Sequence, residues 1–301
     1  MKRHSTSNKS WNIFPCLSLL IILFSTFYYI WTGILYVPPE IPKTVYNADS
    51  DPISIPVDGL VRELEEAFTL HSPRRMERFL RTWHRRFRQN ETTLGAQNDT
   101  LRAVYDLFAT VFNPNLLRRP TGAPSDSPYR YAVIQQEILF YTFNDTYFDR
   151  NFTSSTSRYH TLRLPDGRYS IIENFRPQIK NPEIKSLYLS DDYRKAFDLF
   201  LGTYNFSETL NEGGSLMNRV RFSPESRERW FFLQDFLYIQ AGHWGGYWLY
   251  ETPPWIGFIL LNKSLDKAVV ELRANYSGVE ILFHKTASGW EKQKVIVEWI
   301  E

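Results

Sequence analysis

The chain has 6 histidines and 33 carboxylates, and one stretch brings both kinds together: His243-Trp244-Gly245-Gly246-Tyr247-Trp248, followed by Glu251 and Trp255. A histidine with a carboxylate nearby can shuttle a proton, and flat indole faces bind sugars or apolar rings. On this pattern His243 and Glu251 would be the proton-transfer pair of a hydrolase- or lyase-type enzyme, with Trp244 and Trp248 as binding surfaces. The same residues suit a structural role. Paired glycines form a bulge or a sharp bend where a strand enters a sheet, while tryptophans pack beside it. His160 and His284 could join His243 around a metal only if folding gathered them, and no ligand spacing links the three. Neither a metal nor a cofactor is expected.

The familiar signatures of enzymes are missing. There is no GxxxxGK[ST], no GxGxxG after a strand, no HExxH, no CxxC and no GxSxG, which removes the readily recognised nucleotide, metal, redox and serine chemistries. Asp49-Ser50-Asp51 resembles the acidic triplet of sugar-nucleotide transferases, but it lies in a proline-rich connection rather than at a strand end.

A second chemistry is charge recognition. Ser72-Pro73 is a helix start, an N-cap followed by proline at the first position, and the helix runs to about residue 88. Along it Met76, Phe79, Leu80, Trp83 and Phe87 form one stripe, and Arg74, Arg78, Arg81, Arg85 and Arg88 form another at spacings of 4, 3, 4 and 3. At about 100° per residue the stripes lie on opposite sides. One side packs. The other is an arginine ladder, either a solvated face paired with carboxylates elsewhere or a contact for acidic lipid headgroups or an acidic protein partner.

These residues must be mounted somewhere, and residues 13–37 specify where: IFPCLSLLIILFSTFYYIWTGILYV carries no charge across 25 residues. At about 1.5 Å per residue it exceeds the ~30 Å hydrocarbon core of a bilayer. Lys2, Arg3 and Lys9 precede it without an acid, so the short N-terminus is expected in the cytoplasm and residues 38–301 outside it. The run is longer than the apolar part of a cleaved signal and ends YVPPE with no small-residue cleavage site, which favours an uncleaved anchor. The expected layout is a cytoplasmic tail (1–11), a transmembrane signal anchor (12–37), a proline-rich stalk (38–57) and an extracytoplasmic domain (58–301).

Beyond the anchor the chain has 32 Lys and Arg against 33 Asp and Glu, so no global field attracts nucleic acid. Cys16 is the single cysteine, and a cysteine-free exported domain fits a bacterial envelope better than a eukaryotic lumen. Seven Asn-x-Ser/Thr sites beyond the anchor, at Asn90, Asn98, Asn144, Asn151, Asn205, Asn262 and Asn275, point the other way if glycosylated. They suit turn chemistry equally well.

Helices are expected from residue 58, over 72–88 and over 100–112, with Asn98 or Asp99 capping the third and Asn113-Pro114 ending it. Strand-like patterns follow at 129–143, then a hairpin of 159–164 and 168–173 about Pro165-Asp166-Gly167, with 144–158 a polar, mobile connection. Further helices begin at Ser190, ending at Gly202, and at Ser223-Pro224-Glu225, while 230–239 fits helix and strand alike. The rest reads as a meander of strands at 247–261, 268–276, 279–285 and 290–300.

The ending KAVVELRANYSGVEILFHKTASGWEKQKVIVEWIE resembles the last three strands of cystatin-like and nuclear-transport-factor-like cone folds. That resemblance implies an α+β domain in which N-terminal helices pack on a curved antiparallel sheet. It covers about a third of the chain. The expected function is a membrane-anchored, non-catalytic binding or assembly module of the cell envelope. The alternative is the enzyme built on His243 and Glu251, with the cone interior as its pocket.

Overall fold

In the computed structural model the described residues are 43–47, 55–88, 98–112, 129–153, 169–179, 181–202, 205–206, 220–221, 223–242, 246–274 and 277–300. The chain divides into two units, Met1–Pro42 and Lys43–Glu301, and every described residue belongs to the second. Among the described residues no helix is long and apolar enough to cross a membrane; residues 13–37 lie outside them.

The unit is α+β. Its elements in order are β1 (Lys43–Asn47), α1 (Val57–Thr69), α2 (Pro73–Arg88), α3 (Asp99–Val111), β2 (Tyr131–Ile134), β3 (Ile138–Phe143) and α4 (Asp145–Phe152). There follow β4 (Tyr169–Glu173), β5 (Lys185–Tyr188), α5 (Asp191–Leu201), β6 (Asn205–Phe206), β7 (Val220–Arg221) and α6 (Pro224–Gln234). The last are β8 (Gln240–Ala241), β9 (Trp248–Leu249), β10 (Trp255–Asn262), β11 (Lys267–Ala274), β12 (Ser277–Thr286) and β13 (Gly289–Ile300).

Local chemistry accounts for the helix starts. The Asn98 side chain accepts the Leu101 amide at 2.7 Å to open α3, and Ser223 Oγ accepts the Ser226 amide at 3.0 Å to open α6, with proline next. α1 differs: Pro56 occupies its N-cap, and Asp58 sits inside the first turn, where its charge favours the dipole. α5 ends at Gly202, whose φ of 68° only glycine adopts freely.

Seven strands form the main sheet in the order β1-β4-β3-β10-β11-β12-β13. The terminal meander is antiparallel from β10 to β13, as its alternation predicts. The whole sheet is mixed rather than antiparallel, because β1 runs parallel to β4 and β3 runs parallel to β10. Lys43–Asn47, within the expected stalk, thus form an edge strand. The 129–143 pattern splits in two: β2 leaves to pair with β5 in a separate parallel ladder, and β3 enters the sheet. Of the expected hairpin about Asp166, the 168–173 arm contains β4, and the 159–164 arm lies outside the described residues.

Both sheet faces are covered. One shares a core with the helices, with Ile256, Ile259, Val270 and Phe283 in the same cluster as Leu64, Trp83, Phe108, Phe197 and Trp230. The other packs Leu260, Val269 and Leu282 against Phe148 of α4. This alternation follows from the two-residue period of a strand. α4 occupies part of the 144–158 stretch expected to be a mobile connection.

Candidate functional site

The inner side of α2 is fixed by packing. Met76, Phe79, Leu80 and Trp83 are all buried, and the Trp83 indole stacks on Tyr193 with centroids 4.2 Å apart. Its N–H donates to the Tyr188 carbonyl at 3.0 Å. One residue on, the His84 Nδ1 lies 2.9 Å from the Ser186 carbonyl and donates to it. β5 and α5 therefore set the rotation of α2, and that rotation turns Arg74, Arg78, Arg81 and Arg85 outward, all exposed.

Two other arginines of α2 leave the row. Arg75 pairs with Glu66 of α1 at 2.6 Å, and Arg86 donates to the Tyr193 hydroxyl at 3.4 Å. Arg81 Nε donates to the Glu77 carbonyl at 3.3 Å. Among the described residues, no carboxylate pairs with Arg74, Arg78, Arg81 or Arg85; the Arg88 side chain lies outside them. The arrangement works against the helix itself. Its first turn holds no acid and two arginines, and like charges four apart repel, each effect worth a few tenths of a kcal/mol or more. A row that weakens its own helix is not explained by helix stability.

Folding adds two cations that sequence periodicity did not reveal. The β2–β5 ladder sets Tyr131 beside Lys185, whose Nζ lies 5.4 Å from the Tyr131 ring centre. Arg130 precedes Tyr131 and is exposed. The Tyr131 hydroxyl donates to Glu77 Oε1 at 2.8 Å and so engages the one carboxylate of α2. Burial first, then the Glu77 carboxylate, pushes the Tyr131 phenol up, while Arg81 and Arg130 act on it in the opposite sense. Arg81 from α2, Arg130 from just before β2 and Lys185 from β5 thus gather round one tyrosine. Only the register of β2 on β5 reveals this.

At the stretch from His243 to Trp255 the structure describes only part. His243, Trp244 and Gly245 lie outside the described residues. Glu251 pairs with Arg194 of α5 at 2.5 Å, so its carboxylate already has a cation, and its carbonyl accepts the Trp255 indole N–H at 2.9 Å. Trp248 is buried against Trp230, with its N–H donating to the Gly202 carbonyl at 2.8 Å. Next to it the Tyr250 hydroxyl donates to Asp198 at 2.6 Å. Gly246 has φ 81° between the paired strands β8 and β9, the bend that glycine permits. His284 lies opposite Glu291 in the sheet, and His160 and Asp49-Ser50-Asp51 are outside the described residues. Among the described residues no group of three or more His, Cys, Asp or Glu side chains could hold a metal ion.

Several Asn-x-Ser/Thr asparagines are structural. Asn98 and Asn144 cap α3 and α4. Asn262 is 2 % exposed, and its amide donates to Asp145 and Asp266 at 2.6 Å while its oxygen accepts the Asp266 and Lys267 amides. A fully engaged buried amide is closed to glycosylation in the folded chain.

Comparison with known protein families, with curated proteins and with solved structures returned no match for this chain.

Proposed function

We propose that this chain is a membrane-anchored binding or assembly module of the cell envelope, non-catalytic, with residues 13–37 as a single span and the α+β domain outside the cytoplasm. In this reading the helices and the terminal meander form a cone-like layer of the cystatin-like or nuclear-transport-factor-like kind, filled by its own aromatic side chains. The contact surface is the exposed side of α2, which meets an acidic partner.

One observation carries the reading: four exposed arginines, Arg74, Arg78, Arg81 and Arg85, share a rigid face without a carboxylate partner among the described residues. Charge arranged in that way favours specificity and rapid encounter with an opposite charge. The enzyme alternative has less support, since Glu251 is committed to Arg194.

The reading is tested in the full-length chain in its own membrane. A reporter fused after residue 301 is expected outside the cytoplasm. Arg78→Glu with Arg85→Glu is expected to fold normally and to lose its cross-linked partners and its lipid contacts. A cytoplasmic reporter, or contacts unchanged by the double substitution, overturns it.

A further inference from the structure

Resting on the anchored reading above, we infer that Arg74, Arg78, Arg81 and Arg85 of α2, together with Arg130 and Lys185 of the β2–β5 ladder, form one docking patch for the phosphate-bearing headgroups of an anionic bilayer.

The patch draws on two elements locked together at Tyr131. Its hydroxyl is bonded to Glu77 on α2, its ring lies under Lys185, and Arg130 is its neighbour. The cations therefore hold a fixed spacing. From Arg74 to Arg85 the row runs about 16 Å along the helix, long enough to meet several headgroups at once. Two carboxylates lie on the same segments: Glu77, engaged by Tyr131, and Glu183 in the turn before β5.

The character of the face selects a bilayer over an acidic protein. Protein interfaces are nucleated by apolar and aromatic anchors that fill pockets. Over residues 73–86 α2 exposes no large apolar side chain; the Phe87 side chain, like that of Arg88, lies outside the described ones, and the nearest exposed one in sequence is Leu70, in the turn before α2. A layer of anionic headgroups needs no apolar anchor. It attracts basic residues individually, each adding about fivefold to the association, and it fades as salt shortens the screening length.

The experiment uses the full-length chain in nanodiscs of phosphatidylcholine alone or with phosphatidylglycerol. Phenylglyoxal modifies the arginines, and mass spectrometry reads the rate at each. In phosphatidylglycerol discs, Arg78, Arg81, Arg85 and Arg130 are expected to react several-fold more slowly than in phosphatidylcholine discs. Arg150 of α4 should react equally in both, and high salt should remove the difference. Replacing Arg81 and Arg130 by glutamine is expected to remove most of the protection of Arg78 and Arg85, bringing their rates in phosphatidylglycerol discs to within about twofold of those in phosphatidylcholine discs. Equal rates in the two kinds of disc overturn the proposal. Protection that arises only when envelope proteins are added to phosphatidylcholine discs also overturns it, in favour of an acidic protein, and leaves the contact-module reading standing. A chain that does not enter discs at all overturns both.

Discussion

Arg229 illustrates how a charged side chain in this domain is spent on structure. Its guanidinium meets Glu65 of α1 at 2.8 Å, Glu225 of its own helix at 2.8 Å and the Phe200 carbonyl of α5 at 2.6 Å, and it lies over the Phe200 ring at 5.0 Å. Only 17 % of the side chain is exposed. One residue thus ties three helices together. Arg229→Ala strands Glu65 in a half-buried place and is expected to cost about 2–3 kcal/mol, less than a fully buried pair because Glu65 keeps some water. Arg229→Lys is expected to recover only part of that, since an ammonium cannot span the same acceptors. Urea unfolding of the two variants checks both, and equal stability of Arg229→Ala and the parent would remove the structural role. Arg78 and Arg85 contrast with it: the same residue type is paired where helices meet and, among the described residues, lacks a carboxylate partner on the outer side of α2.

The same division holds within one element. α2 carries the fold on one side and the proposed contact on the other, so substitutions on the two sides should separate. Trp83→Ala removes the stack on Tyr193 and the buried hydrogen bond to Tyr188, and is expected to cost about 3–5 kcal/mol. Arg78→Glu on the exposed side is expected to stay within about 0.5 kcal/mol. Denaturant titrations of the two decide this, and a large loss for Arg78→Glu would mean that the row supports the fold. Both stripes were legible in the sequence, because a 3.6-residue period fixes facing before any tertiary contact forms. The starts of α3, α5 and α6 were legible for similar local reasons. α4 was not. Its sequence DTYFDRNF is polar and short, and it is held by Asn144 at its start and by Asp149 pairing with Lys267 on β11. β1, β5 and the parallel joints escaped for a related reason: a strand's partner lies far away in the chain, and β1 pairs with a strand more than a hundred residues on. Arg130 and Lys185 were missed with them.

Across the whole domain, the coupling of protons to folding sets a testable profile. Glu280 of β12 lies opposite Glu271 of β11, whose carboxylate is held by Arg273 and packs against Gly257 at the bulge in β10. Burial first, then the Glu271 charge, raises the Glu280 carboxyl above its ordinary 4.5. The folded state therefore holds that proton more tightly than the unfolded chain, and stability falls as pH rises from 4.5 through the folded value. Asp145 and Glu291 act in the opposite sense. The Ser264 amide lowers Asp145 below 3.8, and the Ser288 and Thr286 hydroxyls lower Glu291 below 4.5. Their contributions are present above those ordinary values and are lost as pH falls through the folded ones. Through these three groups, stability falls on either side of the ordinary carboxylate range. At the alkaline end burial raises Tyr105 to about 12, so the unfolded chain releases that proton first and stability declines above pH 10.0. Glu280→Gln removes one limb selectively. It is expected to raise the unfolding midpoint at neutral pH, where the parent carries two facing carboxylates, and to leave the decline below pH 4.5 unchanged. Thermal unfolding of parent and variant across the acid range checks the sign, and parallel profiles would show that the Glu271–Glu280 pair is not what the sheet works against.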